Sequence, residues 1–156
     1  MSLVIFSTIS LLAAIYFAVK PKNLNTLELA MIMILVVYLD SNFMDIAILN
    51  LKRFIVSDKP ADRFSFYLTF ILLYPLVIAW SIDRLYSLPH KALKVLFSLF
   101  TIMLIVGSEQ LTKYVKAVNY VDWNWRLDIA QWLTIWLISY ILHLLFRKLV
   151  LKELNQ

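Results

Sequence analysis

The stretch Leu29-Ala30-Met31-Ile32-Met33-Ile34-Leu35-Val36-Val37-Tyr38-Leu39-Asp40-Ser41-Asn42-Phe43-Met44-Asp45-Ile46-Ala47-Ile48 decides how this chain is read. A bilayer core of about 30 Å takes roughly 20 residues of helix, and this run is long and oily enough to supply them. It also holds two carboxylates near its middle. Its ten Leu, Ile, Val and Phe residues favour insertion by roughly 3 to 6 kcal/mol, and each carboxylate opposes it by about 2.5 to 3.5, so the sum is near zero. Such a helix is not stable alone in lipid and needs neighbours. At 100° per residue Tyr38, Ser41, Asn42, Asp45 and Lys52 share one stripe, while Asp40 faces away from it with Met33, Val36 and Met44. Both faces then seek partners, which predicts a central place in a helix bundle. Sliding the helix along the membrane normal offers Asp45 another solution: an ion pair with Lys or Arg at the interface.

Working outward, four more apolar runs bounded by charges appear, giving spans at about 3–19, 27–51, 64–82, 92–112 and 129–146. The first stops at Lys20-Pro21-Lys22; with no basic leader and no small-x-small cleavage site it reads as a retained helix. The second opens at Asn25-Thr26, with Asn25 as a possible cap and Glu28 in the first turn, where the helix dipole favours a carboxylate. Pro75 in the third removes a backbone hydrogen bond and predicts a kink. These spans use most of the 156 residues, so the expected architecture is a single all-α membrane domain without a separate soluble part. The connector 113–128 mixes aromatics with charges, as an interfacial belt does, and is expected to lie along the headgroups.

Composition agrees: 62% of residues are hydrophobic and 16% charged, against about half and a quarter in soluble domains. No cysteine is present, which excludes disulfides, thiolate metal sites and iron–sulfur clusters. Gly107 is the single glycine, so phosphate-cradling loops and dinucleotide fingerprints are excluded as well. No cofactor is expected. The net charge of +5 is scattered between oily runs, which suits anionic lipid rather than nucleic acid. With the N-terminus outside, Lys20, Lys22, Arg84, Lys91, Lys94, Arg147, Lys148 and Lys152 fall inside. Lys52, Arg53, Lys59, Arg63, Lys113, Lys116 and Arg126 then fall outside, a small bias toward that orientation.

Two further stripes carry polar groups. In the fourth span Ser98, Thr101, Ser108, Glu109, Thr112 and Lys116 align, with Gly107 beside them as a point of close helix approach. Glu109 is either the partner of Lys113 four residues on, a favourable spacing, or a desolvated carboxylate that exchanges a proton or holds a cation. In the fifth span Trp132, Trp136, Ser139, Tyr140, His143 and Arg147 lie on one face. An aromatic face commonly just packs. With His90 as the only other histidine, no metal site is expected.

Several of these elements resemble a family of small, uncharacterised integral membrane proteins of spore-forming Gram-positive bacteria. The likeness runs from about residue 24 to 140. It rests on Asn25 and Glu28, on Asp45-Ile46 to Asn50-Leu51-Lys52, on Tyr74-Pro75, on Glu109 and on Trp123-Asn124-Trp125. It implies a polytopic bundle of about five helices in a bacterial plasma membrane and no particular activity.

Three functions follow as expectations. The first is proton or cation transport, with Asp40, Asp45 and Glu109 as ion-binding groups and Tyr38, Asn42 and His143 beside them. The second is a non-catalytic partner or assembly role, in which the aromatic face or segment 113–128 docks lipid, another membrane protein or a second copy. The third is a lipid-modifying enzyme using an acid with His143. It has no catalytic motif behind it, and no catalytic residue is assigned.

Overall fold

In the computed structural model, which describes residues 2–121 and 123–154, the oily runs form five helical spans: Ser2–Val19, Thr26–Asn50, Pro60–Leu85, Lys91–Tyr114 and Trp125–Leu154. All five are long and apolar enough to cross a membrane, so the expected all-α class holds. Asp122 of the last connector lies outside the described residues, as does the side chain of Lys152.

Local chemistry sets the helix ends. Asn25 caps the second span: its Oδ1 accepts the Glu28 N–H at 2.8 Å, and Glu28 Oε2 accepts the Asn25 N–H at 2.9 Å, a reciprocal capping box. The third span begins at Pro60, whose missing N–H is harmless in a first turn. It therefore starts four residues earlier than the first uncharged position, Phe64, with Asp62 and Arg63 inside the helix. The Ser2 hydroxyl donates to Asp62 and ties the first span to it.

At Pro75 the helix widens rather than stops. The turn before it, Thr69–Leu73, is π-helical, which accommodates a proline that cannot return a hydrogen bond. A second π-helical turn, Ile46–Asn50, ends the second span.

The second and fourth spans stop in the same manner. Lys52 and Lys116 take left-handed backbone conformations (φ 51° and 57°), the place glycine usually fills after a helix, and each leads into a short strand. β1 (Phe54–Val56) and β2 (Val118–Tyr120) pair antiparallel with Phe54 opposite Tyr120 and Val56 opposite Val118. The connector expected to lie flat along the headgroups thus pairs with the other connector at the same end. The ribbon satisfies backbone groups that lipid cannot. Phe54 and Val118 pack with Met44, Phe66 and Phe70, and Trp123 stands against Phe54 and Phe43. Tyr114 and Trp125 stay exposed, as belt residues do.

The third span touches the first, second and fourth, and the fifth touches the second and fourth. Spans two to five therefore close a ring of four helices, and the first leans on the outside of the third. This corrects the expectation that the second span is central. Two thirds of the third span's most apolar window is buried (67%), against 28% for the second. The physical reason is that the third span's buried polar residues are satisfied, Ser65 and Thr69 by carbonyls of their own helix and Ser81 and Asp83 by donors from the fifth span and the first connector. Trp132 sits fully buried in the ring, edge-on to Tyr74 at 4.8 Å and clustered with Ile32, Val36, Ile78 and Ile105.

Gly107 is exposed, with open space where a Cβ would stand, so it is not a point of close helix approach. Gly107→Ala is expected to stabilise the fold by about 0.5–1 kcal/mol, since glycine in a helix interior forfeits that much relative to alanine. Unfolding in mixed micelles measures it; a loss of stability would place something against this position.

Candidate functional site

The ring encloses two polar clusters, one at each end. The first is acidic. Asp40, wholly buried, accepts from Gln131 Nε2 at 3.0 Å through Oδ1, while its Oδ2 and the Gln131 Oε1 have no partner. Glu109, on the fourth span, is buried to 4% exposure and its Oε2 is likewise unpartnered. Asp40 and Asp128 both lie near enough to repel a charge on it, and the Trp132 indole faces it without closing a well-formed hydrogen bond. Asp128, on the first turn of the fifth span, accepts from Trp123 Nε1 at 2.5 Å and from Gln110 Nε2 at 2.8 Å, and feels the Lys113 ammonium.

The three carboxyls stand at successive depths. At 1.5 Å per residue Asp128 is about 5 Å inside its span, Glu109 about 8 Å from the end of its own, and Asp40 about 15 Å from Asn50, near the middle of a 30 Å core. Leaving a buried polar atom without a partner costs about 1–3 kcal/mol, so three such oxygens in one cluster are a feature that stability does not explain.

The hydroxyls beside Glu109 are spoken for. Ser98, Thr101, Ser108 and Thr112 all donate to carbonyls of their own helix, which leaves Glu109 as the group without a fixed role. Among the described residues no ion pair joins it to Lys113. Tyr38, Asn42 and Asp45 are not brought to the cluster: all three face outward, with the Asn42 amide donating to the Tyr38 carbonyl at 2.7 Å. Asp45 makes no ion pair among the described residues.

His143 belongs to the second cluster, at the opposite end. Its Nε2 meets Glu28 Oε1 at 3.2 Å, and its Nδ1 lies 3.5 Å from the Tyr86 hydroxyl. Arg147 Nε lies 3.7 Å from the same Glu28 oxygen, and the guanidinium stands 4.3 Å over the Tyr86 ring. Burial pushes the Tyr86 phenol above its ordinary range against the pull of Arg147, so it keeps its proton. Nearby, Asp83 accepts the Asn23 and Leu24 N–H groups at 2.6 and 2.9 Å and fastens the first connector to the third span. Both ring nitrogens of His143 are engaged and the ring is wholly buried, which leaves it neither a free base nor a path to substrate. The aromatic face is turned inward too: Trp132, Trp136, Ser139 and His143 are all buried, with Trp136 Nε1 donating to Ser81 Oγ at 3.2 Å. Trp132, Ser139 and His143 are covered by this chain's own helices, while Trp136 and the partly exposed Tyr140 line a groove on the outer wall of the ring.

Sequence reasoning missed Asp128, Gln131 and the deeper role of Glu28. The first two were legible: Asp128, Gln131 and Trp132 lie at helical spacing, hidden by starting the fifth span at Ile129. Glu28 met its partner 115 residues away, for which no local signal exists. No protein-family model, curated protein or solved structure matches this chain, so the site stands on its geometry and on the five helices compatible with a membrane protein.

Proposed function

We propose that this multi-pass membrane protein carries protons, with Asp128, Glu109 and Asp40 as successive stations from the N-terminal face of the bundle to its middle. The observation that carries the proposal is the unpartnered oxygens on Asp40 and Glu109, two carboxyls on different helices inside one buried cluster. Intramembrane ionisable groups are expensive and are retained for ion or proton pathways. A proton needs only one carboxyl oxygen and a neighbouring hydrogen-bond partner, which Gln131 supplies at Asp40 and Gln110 at Asp128. Among the described residues no three His, Cys, Asp or Glu side chains gather in a way that could hold a metal ion, which favours the proton over a larger cation.

By sequence, Lys20, Lys22, Arg84, Lys91, Lys94, Arg147, Lys148 and Lys152 fall at the end opposite the acidic cluster, eight cations against the seven (Lys52, Arg53, Lys59, Arg63, Lys113, Lys116 and Arg126) at its own end. Under the positive-inside rule this small excess supports that end facing the cytoplasm and the N-terminus lying outside, and the resemblance to the spore-former family supports a bacterial plasma membrane. Protons would enter at Asp128 from the outer face.

In proteoliposomes carrying an internal pH dye, Asp40→Asn and Glu109→Gln are each expected to lower proton flux at least tenfold. Asp45→Asn, which removes a carboxyl from the outward face of the same helix as Asp40, is expected to leave it unchanged. Undiminished flux in both buried variants, or no flux in the native chain under an imposed gradient, overturns the proposal.

A further inference from the structure

The outer wall of the ring carries a groove of about 390 Å³ between the fourth and fifth spans, and none of the three carboxyls lines it. Its floor is apolar, from Val95, Leu99 and Ile102 on one side to Leu133 on the other, and its deeper wall is the stacked pair Trp136 and Tyr140, 5.3 Å apart. Lys91 and Lys94 close one end. The groove between the first and third spans, lined by Leu12, Tyr16 and Trp80, contains no charge at all.

From these features the geometry points to a binding site for an anionic phospholipid, its phosphate held by Lys91 and Lys94 and one acyl chain laid in the groove. Length supports this occupant: Lys91 to Ile102 is eleven residues, about 16 Å of helix, which is one leaflet of a 30 Å core. Depth supports it too, because the lysines stand at the first turn of the span, where headgroups lie, and neither is in an ion pair among the described residues. His90 makes no side-chain cap, so the first-turn N–H groups add positive potential at the same place. A flat interfacial ring of cations would attract any anionic lipid diffusely; a groove ending in two cations holds one molecule.

Native mass spectrometry of protein extracted from mixed phosphatidylglycerol and phosphatidylcholine vesicles tests the site. Lys91→Gln with Lys94→Gln is expected to lower retained phosphatidylglycerol roughly 30-fold, each lysine near an anionic surface contributing about fivefold. Lys20→Gln with Lys22→Gln removes the same charge from the same end and is expected to change retention less than threefold. Leu99→Trp, which fills the groove from its exposed side, is expected to lower retention as the lysine pair does, and added inorganic phosphate to leave it intact. Equal losses for the two lysine pairs, indifference to Leu99→Trp, equal retention of phosphatidylcholine, or displacement by phosphate overturns the assignment. Proton flux is a separate readout, so failure here leaves the carboxyl cluster untouched.

Discussion

Asp40→Leu combined with Gln131→Leu is expected to yield a protein as stable as the native chain, or more stable by about 1–4 kcal/mol, that no longer passes protons. The reasoning turns on what each atom lacks. Asp40 and Gln131 share one hydrogen bond while Asp40 Oδ2 and Gln131 Oε1 face no partner, in a site with no exposure at Asp40. Replacing both polar groups by apolar ones of similar volume removes two desolvation penalties for the loss of one bond. Asp40→Leu alone strands the Gln131 amide and is expected to be destabilising by about 1–3 kcal/mol. Stability from unfolding in lipid micelles and flux in liposomes, taken on the same three proteins, separates the readings. A double variant that falls well below the native stability would make the pair a structural tie rather than a proton station.

Glu28→Ala is expected to be the most damaging substitution at the other end, lowering stability by about 3–5 kcal/mol. Glu28 is nearly buried and does three things at once: Oε2 closes the capping box on Asn25, and Oε1 faces both His143 and Arg147. Removing it leaves an imidazole inside the ring without its partner and opens the cap, itself worth about 1 kcal/mol. Arg147 suffers less, because its half-buried side chain can extend to the interface. Glu28→Gln keeps one oxygen to accept the Asn25 N–H and turns an amide N–H toward His143, whose neutral ring can accept it through Nε2, and is expected to lower stability by about 1–2 kcal/mol only. Equal effects of alanine and glutamine would mean the cluster is held by charge alone, and a loss below 1 kcal/mol for alanine would mean that it does not fasten the second span to the fifth.

The two clusters show why some of the site could be read in the sequence and some could not. Asp40 and Glu109 announce themselves because a carboxyl in a long apolar run is costly wherever the run packs. Asp45 and Asn42 announced themselves in the same way, and face outward. Which of two carboxyls five residues apart turns inward depends on how the helix rolls against its neighbours, and that is decided by Ile32, Val36 and Met44, the buried stripe Asp40 shares. Asp128 hid in a boundary drawn at the last charge, although its helix begins three residues earlier at Trp125.

Helix lengths, their oiliness, the Asn25 cap and the widened turn before Pro75 are properties of neighbouring residues, so the chain alone determined five membrane-length helices and where most of them begin and end. The pairing of Asp40 with Gln131 across 91 residues, of Glu28 with His143 across 115, and of two connector strands was decided by the tertiary structure. Once every span is apolar, hydrophobicity no longer distinguishes one helix neighbour from another. Partner choice then falls to shape and to the few polar atoms that must find each other, and those are contacts no window of sequence contains.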